Sequence, residues 1–397
     1  MLAAIGKEGN HGATGRGMNS IPAMLSPLLL AALIMGCGSG GSGGGSGGND
    51  VVDYMASVYD SKGNKIQEIY HTAPGPDGQW FTSDDEVSTY TAYSYDVKGN
   101  AKREVRYYGP GSDGAWFTAD DEVSFSADFR YDAVGNRIQD VRYSGPGADG
   151  IWFTNDDNVS FYEQYVNDAH GNRFWKVRYY GPGADGAWFT GDDEASSSKA
   201  YAYDAGGHII QEGRYIGPGA DGIWHTDDDE VSSYTAFTYD DRGNRIQEVR
   251  YVSPGVDGVW LSDDDEVNFY ATTAYDGDGK LIEEREYYGT GMEGSWLSGA
   301  FAVSYYMISR YDADRTQIAT YYAPGPDGIW YTDDDAVSSY DTIEQDDVMK
   351  PVSEASFYQA GADALWFTDD DGVSSYTLSL YDSKGNVIRK AVYAGTW

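Results

Sequence analysis

Along most of this chain, apolar and polar residues alternate in short runs separated by glycine-rich breaks. From Val123 onward, Val123, Phe125, Ala127, Phe129 and Tyr131 point one way, and Ser124, Ser126, Asp128, Arg130 and Asp132 the other. That period of two predicts a strand with a single apolar face. A short break, Ala133 to Asn136, leads into a second run from Arg137 to Tyr143. There Ile138 is out of phase with Val141 and Tyr143, which calls for either a bulge or partial cover on both faces. The unit closes with Gly145 to Asn158, reading GPGADGIWFTNDDN.

The unit is copied along the chain. The tryptophan of Asp-Gly-x-Trp recurs at Trp80, Trp116, Trp152, Trp188, Trp224, Trp260, Trp296, Trp330 and Trp366, the Trp296 copy reading Glu-Gly-Ser-Trp and the Trp366 copy Asp-Ala-Leu-Trp. The spacing is 36 residues throughout except for 34 between Trp296 and Trp330, so the chain is a repeat array rather than two or three unrelated domains. The link between paired strands recurs as Asp-x-x-Gly-Asn at Asp60, Asp96, Asp132, Asp240 and Asp382. In such a turn Asp caps through its side chain and Gly takes positive φ, giving a hairpin with a glycine bulge. Copies starting at Asp204, Asp312 and Asp346 depart from the pattern. The expectation is an all-β fold: an elongated or gently spiralling antiparallel sheet of about nine 36-residue hairpin repeats, with a β-propeller as the alternative. Tyr90, Tyr93, Tyr95, Tyr107 and Tyr108 are expected to stack with counterparts one copy along. Exposed tyrosines would instead offer a sugar-binding platform.

The phrase Tyr59-Asp60-Ser61-Lys62-Gly63-Asn64 resembles the YD repeat of the RHS family. The resemblance covers roughly residues 51–393, and the unit here is longer by the insert bearing Asp-Gly-x-Trp. It implies hairpins coiled into a β-spiral, in some members a shell around a toxin. Nothing in this chain points to a toxin cargo.

The insert concentrates negative charge. The chain has 397 residues and a net charge of −37, and 34 of its 64 acids fall in the nine inserts. In a meander these loops would share one edge, about 10 Å apart, close enough to repel one another at ordinary salt. Calcium, which takes six to eight oxygens, suits such a ladder. Asp77-Gly78-Gln79-Trp80 with Asp84 resembles the second half of an EF-hand-type loop, with Ala73 to Pro76 where the first-half ligands would be. The candidate ligands are Asp77, Asp84, Asp85 and Glu86; Asp113, Asp120, Asp121 and Glu122; Asp149, Asp156 and Asp157; and Asp185, Asp192, Asp193 and Glu194. Later loops add Asp221, Asp228, Asp229 and Glu230; Asp257, Asp264, Asp265 and Glu266; Asp327, Asp334 and Asp335; and Asp363, Asp370 and Asp371. The competing expectation is that Asp77-Gly78 makes an ordinary turn, Trp80 packs, and the later acids cap and solvate.

Ahead of the repeats, Leu33-Ile34-Met35-Gly36-Cys37 resembles the lipobox of bacterial lipoproteins, which implies cleavage before Cys37 and its lipidation. Residues 1–36 are then a signal peptide, 37–50 the lipidated cysteine with a Gly/Ser tether, and 51–397 the repeat domain. Translation could start at Met1 or Met18. Gly38 and Ser39 after the cysteine favour the outer membrane.

Several classes fall away. Bulk negative charge excludes nucleic-acid binding by general electrostatics, and one cysteine excludes a disulfide framework. His11, His71, His170, His208 and His225 share no zinc or base–nucleophile spacing; His71 and His225 stand where other copies have aromatic residues. Eight near-identical carboxylate pairs do not make the unique pair of a glycosidase. The expectation is a non-enzymatic, lipid-anchored, calcium-stabilised surface protein with a structural or adhesive role, meeting the membrane through its anchor and a polysaccharide or surface protein beyond it. The alternative is a carbohydrate-binding surface module.

Overall fold

The computed structural model describes residues 50–394 apart from 225, 293–301, 313, 347–349 and 369. Cys37, the expected signal peptide and tether, His11, His225, the loop copy around Trp296, and Trp397 lie outside the described residues. The chain divides into two units: Pro110–Asp121 belong to the first and all twenty strands to the second.

The strands pair as ten hairpins. In chain order, β1 (Asp50–Tyr59) pairs with β2 (Lys65–Ala73), β3 (Glu86–Tyr95) with β4 (Ala101–Gly109), and β5 (Glu122–Tyr131) with β6 (Arg137–Gly145). Next are β7 (Asn158–Asn167) with β8 (Arg173–Gly181), and β9 (Glu194–Tyr203) with β10 (Ile209–Gly217). Then β11 (Glu230–Tyr239) pairs with β12 (Arg245–Ser253), and β13 (Glu266–Tyr275) with β14 (Leu281–Met292). The last are β15 (Ala302–Tyr311) with β16 (Arg315–Ala323), β17 (Ala336–Gln345) with β18 (Pro351–Gln359), and β19 (Gly372–Tyr381) with β20 (Val387–Ala394).

Each hairpin also bonds antiparallel to the next, and β20 bonds back to β1. The closing pair uses the register of the interior ones: Ala391 faces Tyr54 as Ile69 faces Tyr90. The expected open or spiralling sheet is therefore corrected to a closed ring of twenty strands. The propeller is corrected too, because one continuous sheet replaces separate blades. A repeat spacing specifies how each hairpin meets its neighbour but not how many are needed before the accumulated twist and stagger bring the last onto the first. Closure leaves no edge strand to template aggregation. A ring this wide exceeds what strand side chains alone fill.

The turns form as the sequence dictates. Asp60 Oδ1 accepts from the amides of Lys62 (2.9 Å) and Asn64 (2.8 Å), and Oδ2 accepts from Asn64 Nδ2 (2.9 Å). Gly63 takes φ 88°, a conformation open to glycine at little cost. In the Asp204 copy His208 replaces Asn, and its Nδ1 lies 2.9 Å from Asp204 Oδ2. Beyond the turn Ile138 is the extra residue of a bulge, since Arg130 faces Gln139 while Tyr131 faces Arg137. Both faces of β6 are also partly covered. Tyr95, Tyr203, Tyr239, Tyr275 and Tyr381, each preceding a turn Asp, tie their hairpins to the one before, as Tyr95 Oη donates to Lys65 O at 2.7 Å. Tyr59 Oη donates to Val387 O at 3.0 Å, the same bond made across the closure.

The sheet has two different faces. On one, Val105, Val141, Val177 and Val249 are buried at equivalent positions, beside stacked rings such as Tyr90–Tyr107 (centroids 4.4 Å) and Tyr162–Tyr179 (4.5 Å). These stacks join the two strands of one hairpin, which corrects the expectation of stacking between copies for Tyr90 and Tyr107; at the position of Tyr108, Tyr288 does stack on Tyr305 of the next hairpin, at 4.5 Å. His71 stacks on Tyr54 at 4.3 Å, as a packing residue should. The other face carries charged residues, with Thr91 opposite Arg106 and Tyr93 opposite Glu104.

Candidate functional site: the acidic loops

The loop from Pro74 to Asp85 is built around its own carboxylates. Asp77 Oδ1 accepts from Gln79 N at 2.7 Å, closing an Asx turn. Asp84 Oδ2 reaches back to Asp77 N at 3.1 Å, and Asp84 Oδ1 accepts from Thr82 Oγ1 at 2.7 Å. Asp85, buried, accepts from Phe81 N (2.7 Å) and from Tyr54 Oη (2.7 Å) on β1. Burial, and after it the hydrogen bond that it donates to Asp85, raise the Tyr54 hydroxyl well above its usual range. Trp80 and Phe81 both pack edge-on against Tyr54, at 5.9 and 4.9 Å.

This arrangement repeats. Asp157, Asp193, Asp265, Asp335 and Asp371 each accept from the amide four residues earlier, at Phe153, Phe189, Leu261, Tyr331 and Phe367. Tyr162, Tyr306 and Tyr340 donate to Asp193, Asp335 and Asp371 from the strand opposite. The residue after tryptophan takes positive φ in every such loop, 71° at Phe81. That is costly for a bulky side chain, and the amide it turns inward is the one that the buried Asp holds. In Pro110–Asp121 the same bonds recur, from Phe117 N to Asp121 (2.7 Å), Ala115 N to Asp113 (2.7 Å) and Asp113 N to Asp120 (3.1 Å).

The first glycine of the insert is dictated by contact as well as by φ. A Cβ on Gly75 would stand 2.1 Å from the Asp84 carbonyl oxygen, whereas one on Gly78 would meet nothing within 4 Å.

The candidate aspartates thus divide into three sets. Asp77, Asp113, Asp149, Asp185, Asp221, Asp257, Asp327 and Asp363 hold their own loop's tip amides. Asp84, Asp156, Asp192, Asp228, Asp264, Asp334 and Asp370 lie below the usual carboxylate range, foremost through the neighbouring Thr or Ser hydroxyl. Asp120 is lowered foremost by Ser112 and then by Thr118. The buried set is Asp85, Asp121, Asp157, Asp193, Asp229, Asp265, Asp335 and Asp371. Glu86, Glu122, Glu194, Glu230 and Glu266 instead begin the following strand, exposed. Among the described residues, three carboxylate oxygens come within 4.8 Å of one another only at Asp257, Asp264 and Asp265. Sequence reasoning missed the hydroxyl of Phe-Thr-x-Asp-Asp, such as Thr82, and the strand tyrosine that meets the buried Asp. The hydroxyl was legible as an invariant Thr or Ser two residues before the first Asp; the tyrosine, from an adjacent strand, was not.

No family model matches the chain, and no curated protein matches it. Among solved structures, one described as TcdB2-TccC3-TEV aligns at 12% identity and TM-score 0.33 over 86% of this chain, which spans 17% of that one. A porin-like protein from Bacteroides uniformis aligns at 9% identity and TM-score 0.25 over 88% of this chain and 97% of its own. A protein of unknown function from Bacteroides fragilis aligns at 9% identity and TM-score 0.23, over 35% and 91%. At these scores none bears on fold or function. The internal pairing alone defines the class, an all-β hairpin-repeat protein. Among the described residues no helix is long and apolar enough to cross a membrane.

Proposed function

We propose that this chain is a lipid-anchored surface protein of the outer membrane, built from YD-type hairpins and serving a structural or adhesive role without catalysis. The observation that carries the reading is the use to which the repeat puts its chemistry. The loop carboxylates accept the loop's own amides and hydroxyls, and the YD tyrosine is spent on tying hairpins together. Residues arranged in this way build a display scaffold rather than a reaction centre. The lipobox-like Cys37 supplies the anchor, and the Gly/Ser tether the reach. Fractionation of cells making the full chain tests this. The wild-type protein is expected in the outer-membrane fraction and open to protease on intact cells, with Cys37→Ser released to the soluble fraction. An identical soluble distribution for both would overturn it.

Calcium is a separable part of the same reading. The loops close through internal hydrogen bonds, so the ion would add stability at the rim, foremost at Asp257, Asp264 and Asp265. At ten times the dissociation constant each occupied loop would gain about 1.4 kcal/mol. Thermal melting with calcium, magnesium and chelator measures this. A calcium-specific rise in Tm is expected, and a response equal to that of magnesium removes calcium from the reading.

A further inference from the structure

On the charged face, five successive return strands carry arginine at one register: Arg106, Arg142, Arg178, Arg214 and Arg250, each 36 residues after the last. Crossing from one to the next spans two strand spacings with a two-residue stagger, since Arg106 faces Phe125 while Arg142 faces Ala127. The arginines therefore stand about 12 Å apart. We infer that this row is a binding stripe for an extended acidic polysaccharide, one bearing carboxylate or sulfate groups. The inference rests on the adhesive reading above and names what is adhered to.

Three observations carry it. First, the row stands out against a chain of net charge −37, and all but Arg142 are exposed. Second, apart from Glu104 beside Arg106, the acids beside the row have cations of their own. Asp140 pairs with Arg137, Glu212 with Lys199, and Glu248 with Arg245 at 3.0 Å. Glu163 is shared between Lys176 (3.3 Å) and Arg178 (3.1 Å), the one ion pair recorded within the row. Third, ring faces hold the guanidinium groups: Arg142 lies over Phe125 at 4.3 Å, Arg178 over Phe161 at 4.3 Å and Arg250 over Phe269 at 5.1 Å. Two residues along, Tyr108 and Tyr180 are each 55% exposed, apolar plates of the kind on which sugar rings rest.

A guanidinium fork matches carboxylate or sulfate with two parallel hydrogen bonds. The interval between arginines is on the scale of a disaccharide, so a polymer charged once per disaccharide would meet each in turn. Duplex nucleic acid carries one charge per roughly 1.7 Å of axis, too dense for this spacing and strongly repelled by the rest of the molecule.

The test measures binding of the purified chain to polygalacturonate, heparin, neutral dextran and duplex DNA, with chelator present to remove calcium bridging through the loops. The expected result is salt-sensitive binding to the two acidic glycans, none to dextran, and little to DNA. Arg106→Gln with Arg214→Gln, neither arginine having a recorded ring contact, should weaken glycan binding about tenfold with Tm unchanged. Lysine at both positions should restore part of it. Failure to bind either acidic glycan, glycan binding that the glutamine pair leaves intact, or tighter binding to DNA each overturns the inference. The fractionation result for Cys37→Ser is independent of all of these, so the anchored-scaffold reading can fail or stand on its own.

Discussion

Two stretches of the ring solve one packing problem differently. From β3 to β12 the repeats are regular: each loop has a buried Asp, and each step to the next hairpin advances the register by two residues, as Val141 facing Tyr162 and Val177 facing Gln164 show. The stretch from β13 to β16 breaks both habits. There Arg285 and Ala319 face the same residue, Ile308, so the stagger vanishes. The 34-residue spacing has its physical origin at the β15–β16 turn. Asp312 N bonds Arg315 O at 2.8 Å, one residue sooner than in the other turns, and the bulge beyond is missing because Arg310 faces Gln317 and Tyr311 faces Thr316. The loop copy there has no aspartate pair in its sequence. Aromatic contact takes over nearby: Tyr287 meets Tyr270 at 4.2 Å, Tyr331 at 5.0 Å and Tyr306 at 6.2 Å, within the core that also holds Val249, Tyr251 and Val267. Carboxylate-held loops and ring-held strands are thus interchangeable means of covering one face of the same sheet.

The comparison is most directly broken in the ring-held stretch. Tyr287→Ala removes a buried ring stacked on Tyr270 at 4.2 Å and should cost about 3–5 kcal/mol, read from chemical denaturation; a cost below that of the loop variants would refute the distinction. In the regular stretch Gly147→Ala places a Cβ 2.0 Å from Asp156 O at φ 64°, for about 2–4 kcal/mol. Gly150→Ala in the same loop, at φ 70° with nothing within 4 Å, should cost only about 1–2 kcal/mol. Equal losses for the two glycines would mean that φ alone decides. Asp157→Ala strands the Phe153 amide, which it accepts at 2.8 Å, for about 1–3 kcal/mol. Hydrogen exchange should show the loss at that loop.

The smallest effect per group is the response to acid. Carboxyls such as Asp156 and Asp192 titrate lower in the fold than in the unfolded chain because the Thr154 and Thr190 hydroxyls bond them. A lowered folded value contributes stability above the unfolded value and loses it as pH falls through the folded one. Melting temperature should therefore hold above about pH 4 and decline below it.

Much of this was legible beforehand for identifiable reasons. The hairpins, the Asp60-type turns and the bulge at Ile138 follow from local rules: an Asp side chain two to four residues from the amides it caps, a glycine where φ must be positive. The single apolar face expected of Val123 to Tyr131 is corrected: a bulge after Val123 leaves Phe125 and Ala127 beside Arg106 and Arg142, while Ser126 faces Val105 and Tyr143. The 36-residue recurrence puts Arg106 and its successors at one register, and the strand pairing puts them on one face. The loop acids were harder. Their spacing fits a metal loop and a self-capped loop equally well, and what separates the two is which donor each oxygen meets, including Tyr54 on a strand 31 residues away.

The sequence by itself determined the unit: two strands, their turn, the acidic insert and the order in which neighbours pair, because each depends on contacts within one repeat or with the next. Only the tertiary structure decided that the array closes. Closure depends on the sum of small twists and staggers over all ten hairpins, and no single repeat carries that sum. It also decided which tyrosines stack within one hairpin, as Tyr90 on Tyr107, and which across two, as Tyr288 on Tyr305, and that the second aspartate of each pair turns inward, since these outcomes depend on what the neighbouring strand brings opposite.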